Sequence, residues 1–379
     1  MNNIKEFNIT IWKKQGRKME VSKKPLRDVN LDMLKALAIT MVVFFHNMQL
    51  NPDSIVDNAL MMFCNAAVPV FFMVTGAVQL TRDNKFDPKK HIKTVIILYL
   101  EIVCWKIIYA LFMYIFYGVR IDASPLNIIN YVLLLQETNG VATGHFWYLK
   151  ALIAMYLILP LLKLCKDKKV GYYLMLVLFI FSNIMFDLVF LFNFVGKVTG
   201  KNIPNVTLIT EMSPFSSTYA IYILYMFLGK YLYEQKEKIY KYRKWAACGI
   251  GLGTMGLLVI KYMQSGTLQW QGIHVVSGYY YCSTMLIAAG LFVLFNSRKS
   301  ISVIEQWIAG TVGKHTLGIF YLHILVYTIL ENTLYMKTSQ FNNCFINVIE
   351  SIFIIVVSLI ITMIFNKLRM YCINIKKYI

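Results

Sequence analysis

Apolar runs of about 20 residues recur from one end of this chain to the other. That is the length a helix rising about 1.5 Å per residue needs to cross ~30 Å of hydrocarbon. Ten such segments can be drawn, at roughly Asn30 to Leu50, Asp57 to Leu80, Thr94 to Tyr117, Phe146 to Leu164, Val170 to Val195, Ser216 to Tyr233, Trp245 to Met263, Ser277 to Asn296, Thr316 to Glu331 and Cys344 to Asn366. The 379 residues are 58% hydrophobic and only 15% charged, with a mean hydropathy of +0.56, so water is not the solvent of most of the chain. In lipid each segment must satisfy its own backbone polar groups. The expected fold class is therefore all-α, a polytopic membrane protein with about ten transmembrane helices.

The formal net charge of +19 resembles that of a nucleic-acid-binding protein until the basic residues are placed on this map. The N-terminal tail carries Lys5, Lys13, Lys14, Arg17, Lys18, Lys23, Lys24 and Arg27, and the C-terminal tail carries Lys367, Arg369, Lys376 and Lys377. With the connections after the second, fourth, sixth and eighth segments and the lysines flanking them, 30 of the 38 Lys and Arg residues fall on one side. The opposite connections hold only Arg120, Lys197, Lys201 and Lys337, and the other four lie inside segments. By the positive-inside rule both termini are expected in the cytosol, and the charge faces membrane lipids with anionic headgroups; no nucleic-acid partner is expected.

No soluble domain stands out. The expected organisation is a basic cytosolic tail (1–28), one transmembrane domain (29–369) and a short cytosolic C-terminal tail (370–379). The first apolar segment is expected to be retained, because Asn51, Pro52 and Asp53 follow it rather than a small-residue cleavage site. The seven cysteines are scattered without a C-x-x-C pair, so neither a disulfide framework nor a metal site is expected. Gly251, Gly253 and Gly256 match G-x-G-x-x-G, but no strand precedes them and they lie inside an apolar span; with Gly249 they read as a small-residue surface for close helix packing.

A charge near the bilayer centre costs roughly 2.5–3.5 kcal/mol on insertion scales, so the polar residues inside the spans carry the functional information. Lys35 and His46 are 11 residues apart, three turns plus about 20°, which puts them on one helix face ~16 Å apart along the axis. Lys35 can pair with Asp32, three residues earlier, or serve a reaction; His46 is an interfacial histidine or a catalytic one. His145, Trp147 and Lys150 open the fourth segment at the same outer depth as His46 and read either as a ligand-binding group or as an aromatic belt with a snorkelling lysine. His323 lies about half way through the ninth segment. Glu101, Lys106 and Asp187 are further intramembrane charges, and Glu101 and Lys106 are not a local pair. Pro69 is expected to kink or open the second segment.

Together these residues resemble the membrane acyltransferase-3 family of bacterial O-acyltransferases. The resemblance spans nearly the whole chain. It rests on Lys35 and His46 separated by ten positions, on Val68-Pro69-Val70-Phe71-Phe72-Met73-Val74-Thr75-Gly76, on a basic entry to the third segment, on His145-Phe146-Trp147-Tyr148-Leu149, and on Gly318-Ile319-Phe320-Tyr321-Leu322-His323. Where the family has arginine in the first segment and in the pair before the third, this chain has Lys35 and Lys90-His91-Ile92-Lys93. Lysine keeps the charge and loses the bidentate fork.

The resemblance implies a transferase that moves an acyl group, usually acetyl, from cytosolic acetyl coenzyme A to a hydroxyl of a cell-envelope glycan or its lipid-linked precursor, in the bacterial plasma membrane. No cofactor is expected to be permanently bound; the acyl coenzyme A is a co-substrate. His46 is implied as the catalytic residue with Lys35 as electrostatic helper, Lys90 and Lys93 as ligands of the coenzyme A phosphates, and His145, Trp147, Lys150 and His323 on the acceptor side. No added extracellular esterase-like domain is seen. A transporter of glycans or lipid-linked sugars would use the same helices and buried polar groups, and a membrane sensor would account least well for His46 and Tyr321-Leu322-His323.

Overall fold

A computed structural model describes residues 27–47, 54–82, 86–120, 124–201, 219–265, 278–298, 300–335 and 344–375. Among these residues the secondary structure is helical throughout, with no strand. The main helices are α1 (Val29–Asn47), α2 (Ile55–Cys64), α3 (Ala67–Gln79), α4 (Pro88–Tyr117), α5 (Trp147–Leu164), α6 (Lys168–Phe179), α7 (Met185–Thr199), α8 (Ala220–Glu234), α9 (Arg243–Ser265), α10 (Cys282–Asn296), α11 (Val303–Thr311), α12 (Thr316–Leu330) and α13 (Cys344–Ile375).

Seven helical stretches among the described residues are long and apolar enough to cross a bilayer: Val29–Asn47, Ile55–Gln79, Pro88–Tyr117, Gly144–Leu164, Lys168–Thr199, Lys236–Gln264 and Cys344–Leu368. They fall on seven of the ten expected segments. The other three coincide with α8 and α10, each of 15 residues or about 22 Å of helix, and with α12, which a π-helical turn continues to Tyr335. The basic tail before Arg27 and the connection 202–218 lie outside the described residues.

Polar side chains mark where helices begin. Asp28 accepts hydrogen bonds from the backbone of Asn30 and Leu31 at the start of α1, Ser54 caps α2, Asp87 caps α4 with Pro88 at its first position, and Asp167 caps α6. Ser302 and Glu305 form a capping box on α11. Each cap satisfies amides that have no partner within the helix. Asp187 does the same at a distance. From α7 it accepts the backbone N–H of Cys282 at 3.1 Å, placing a carboxylate at the positive end of α10.

The expected break at Pro69 is present. Proline has no N–H to offer the carbonyl of Asn65, four residues earlier, and the helix is interrupted at Asn65 and Ala66, where Ala66 has ψ −7°. Further along, α3 crosses α8 at a paired glycine contact. A Cβ on Gly76 would run into the carbonyl of Met226, and one on Gly229 into the carbonyl of Met73. The small-residue surface also packs as read: a Cβ on Gly253 or Gly256 would strike Ser283 of α10, whereas one on Gly251 would meet nothing within 4 Å.

These contacts predict opposite effects of the same substitution. Gly76→Ala and Gly229→Ala should each lose roughly 1–3 kcal/mol through forced separation of backbones, while Gly251→Ala should be neutral or gain up to about 1 kcal/mol of helix propensity. Thermal unfolding of the detergent-solubilised protein measures the difference, and equal midpoints for all three variants would contradict the packing described.

Candidate active site

The break before Pro69 borders the most functionally suggestive cavity among the described residues. α1 contributes Val42, Phe45 and His46, the interrupted helix contributes Cys64, Asn65, Ala67 and Val68, and the start of α5 contributes His145, Trp147 and Tyr148, with Tyr279 and Phe320 completing the lining. Its volume is about 90 Å³.

Three histidines from three helical segments converge on it. The ring centroids of His46 and His323 lie 5.5 Å apart, those of His145 and His323 5.2 Å, and those of His46 and His145 6.4 Å. Their environments differ. His145 is 7% and His323 1% exposed, while His46 is exposed and lines the cavity. The imidazole that a small molecule would meet first is therefore His46.

A hydrogen bond assigns the proton on His323. Its Nδ1 lies 2.7 Å from the carbonyl of Phe320, and because a carbonyl only accepts, that nitrogen is the donor. Nε2 of His323 is buried without a hydrogen-bond partner. Tyr109 donates its hydroxyl proton to the carbonyl of Tyr321 at 2.9 Å, and its oxygen lies 3.4 Å from Nε2 of His145. Trp105 stacks on Tyr321 at 5.0 Å with the planes 10° apart, holding that part of α12 against α4.

The approach to His145 is tied down by two lysines. Buried Lys106 donates to the carbonyl of Gln136 at 2.8 Å and to Oγ1 of Thr143 at 3.3 Å, and its ammonium lies 4.1 Å from the centre of the Tyr131 ring. Glu137 is 3.8 Å from Lys106 and 3.6 Å from Lys150, and it accepts from the Thr143 hydroxyl at 2.5 Å. Lys150 also donates to the carbonyl of Leu135 at 3.2 Å, a residue held at φ 54°, which costs an L-residue about 1–2 kcal/mol. The partner that Lys106 requires is thus the loop that leads into His145.

The residues singled out in the sequence separate into three places. His46, His145 and His323 come together, and Trp147 lines their cavity while stacking on Tyr279 at 5.6 Å. Lys150 belongs to the loop and not to the cavity. Lys35 stays at the other end of α1, 2.6 Å from Asp32, which is also bound by Arg27 through contacts of 2.6 and 3.0 Å; this hydrogen bonding raises the Arg27 guanidinium above its ordinary pKa. Lys90 and Lys93 are exposed at the start of α4. Tyr109, Tyr148, Tyr279 and Asn65 were not anticipated. Asn65 was findable, since it sits four residues before a helix proline, and Tyr148 adjoins Trp147, but nothing in the sequence points to Tyr279.

Comparison with known families decides the class. A model described as an acyltransferase domain, that of the acyltransferase-3 family, matches residues 28–367. The chain belongs to this family. It is a multi-pass membrane acyltransferase, and the matched range includes every residue of the cavity. Neither a curated protein nor a solved structure matches it significantly. Among the described residues of the acyltransferase no group of three or more His, Cys, Asp or Glu side chains is arranged to hold a metal ion.

Removing the Tyr109 hydroxyl tests its support of His145. Tyr109→Phe keeps the ring and deletes one bond to His145 and one to the Tyr321 carbonyl, so acyl transfer should fall about tenfold, the scale of one hydrogen bond, at unchanged protein abundance. Full activity would show that the Tyr109 hydroxyl does not support the histidine cluster.

Proposed function

We propose that this acyltransferase is an O-acetyltransferase of the bacterial plasma membrane, using cytosolic acetyl coenzyme A to esterify a hydroxyl of a cell-envelope glycan or of its lipid-linked precursor. The reading includes ten membrane crossings with both termini in the cytosol, as the sidedness of the basic residues requires. The observation that carries it is His46, the one exposed histidine of the cluster and a lining residue of the cavity, set 11 residues along α1 from the Lys35 end.

In this mechanism His46 takes the proton of the acceptor hydroxyl as its oxygen attacks the thioester carbonyl; the C–O bond forms, the C–S bond breaks, and the departing coenzyme A thiolate receives the proton from the imidazolium. An imidazole titrates near pH ~6.5 in its ordinary state and suits both transfers. His323, with Nδ1 committed to the Phe320 carbonyl, keeps its other nitrogen as an acceptor beside His46. Trp147 and His145 flank the acceptor hydroxyl. At the cytosolic end Lys35, Lys90 and Lys93 meet the coenzyme A phosphates as point charges; for Lys35 this means sharing or leaving Asp32, its partner in the structure.

A general base contributes about 10²–10⁴-fold, so His46→Ala should remove detectable transfer. The measurement is the ester-linked acetyl content of surface glycan in cells carrying the intact gene, its deletion, and His46→Ala at equal membrane abundance. Loss in both altered strains is the expected result. Glycan that stays acetylated in the deletion strain while its export falls would instead mark the protein as a transporter.

A further inference from the structure

The cavity lining is of two chemical kinds, drawn mainly from different parts of the fold. Val42 of α1, with Cys64, Ala67 and Val68 of the interrupted helix, presents aliphatic carbon and one thiol beside the amide of Asn65. Trp147, Tyr148, Tyr279 and Phe320 supply aromatic rings. His46 and His145 share the lining, with centroids 6.4 Å apart. Aromatic rings with phenol hydroxyls suit the hydroxyl-bearing edge of a sugar whose bulk stays outside the cavity. An aliphatic wall suits the hydrocarbon part of an acyl group.

Size and charge narrow that group further. The volume of about 90 Å³ is smaller than the ~150 Å³ that accommodates benzene in an engineered protein cavity. The aliphatic wall carries no cation. The nearby lysines Lys106 and Lys150 are already bonded to the carbonyls of Gln136 and Leu135 and to Glu137. A carboxylate at the far end of a dicarboxylic acyl group would meet no lysine or arginine among the lining residues, and a charge removed from water without a counter-charge is unfavourable.

We propose that Val42, Ala67 and Val68 form the surface that selects the acyl group and restrict the enzyme to uncharged donors of about two to four carbons. This rests on the reading that the acyl group comes from coenzyme A and is transferred at His46. The helix break supplies the selecting surface: Ala67 and Val68 begin the new helix directly after Asn65 and Ala66, so their side chains border the space that Pro69 opens. One methylene in an apolar pocket changes selectivity about 10–200-fold, which makes the length limit a property of individual side chains.

The test is a competition in membranes containing the full chain, given equimolar acetyl, butyryl, hexanoyl and succinyl coenzyme A, with the acids released from the glycan by base and quantified by mass spectrometry. The parent enzyme should transfer acetyl and some butyryl, with hexanoyl and succinyl at background. Val68→Ala and Val42→Ala should raise the butyryl to acetyl ratio about tenfold or more, and Ala67→Leu should lower it. A folding defect reduces all acyl groups in parallel and leaves the ratios alone. Unchanged ratios in both enlarged variants, or a parent that takes hexanoyl or succinyl as readily as acetyl, would overturn the proposal. A parent that forms no ester from any coenzyme A donor would instead remove the donor reading, and the acyl-selecting role with it.

Discussion

In hydrocarbon a backbone amide finds no water, so every helix that crosses must satisfy its own hydrogen bonds or lose several kcal/mol for each that it leaves open. That constraint makes the described apolar stretches helical, and it gives weight to the interruption at Asn65 and Ala66. Irregular backbone at membrane depth persists where it is enclosed by protein or borders a polar cavity. Here it borders the cavity that His46 and His145 line. Pro69 is the local cause, and the surrounding helices allow the break to persist.

Those helices are held by contacts of two kinds, at different places along their length. Along apolar stretches, glycines let backbones touch: Gly76 and Gly229 fix α3 against α8, and Gly253 and Gly256 fix α9 against α10. Lipid tails are as apolar as leucine, so close packing of small residues provides adhesion that apolar burial alone does not. Around the start of α1 charged groups take over. Asp28 accepts from the Tyr233 hydroxyl at 3.0 Å and lies 3.9 Å from Lys236, Asp32 gathers Arg27 and Lys35, and Asn30 donates to the carbonyl of Arg298 at 3.2 Å. The start of α1 is therefore fixed independently of the histidine at its other end.

Much of this was legible in the sequence, and what was not has a physical explanation. Run length specifies a helix directly, because hydrocarbon thickness does, so the apolar segments were readable while α11, only nine residues long, was not. The break at Pro69, the glycine surface and the pairing of Lys35 with Asp32 depend on residues within a few positions of one another or on one helix face, and all three were readable. The meeting of His323 with His46 was not. Sequence placed one at the outer end of its helix and the other half way along another, and only the tilt and close approach of helices bring their rings to 5.5 Å. Glu137 gave no signal either, since a carboxylate in a polar connection is ordinary until buried Lys106 reaches it from the membrane.

The difference in exposure among the three histidines ties packing to chemistry. A cluster buried equally on all sides would have no route to a substrate, and one open on all sides would hold water, which competes with a sugar hydroxyl for an acyl group. Here His323 is closed off at 1% exposure and His145 at 7%. Both have one ring nitrogen directed by a neighbour, the Phe320 carbonyl in one case and the Tyr109 hydroxyl in the other. His46 alone of the three is exposed, although His145 also reaches the cavity lining. Access of an acceptor to the exposed imidazole is left to the shape of the space in front of it, which the residues of the helix break and Trp147, Tyr148 and Tyr279 define.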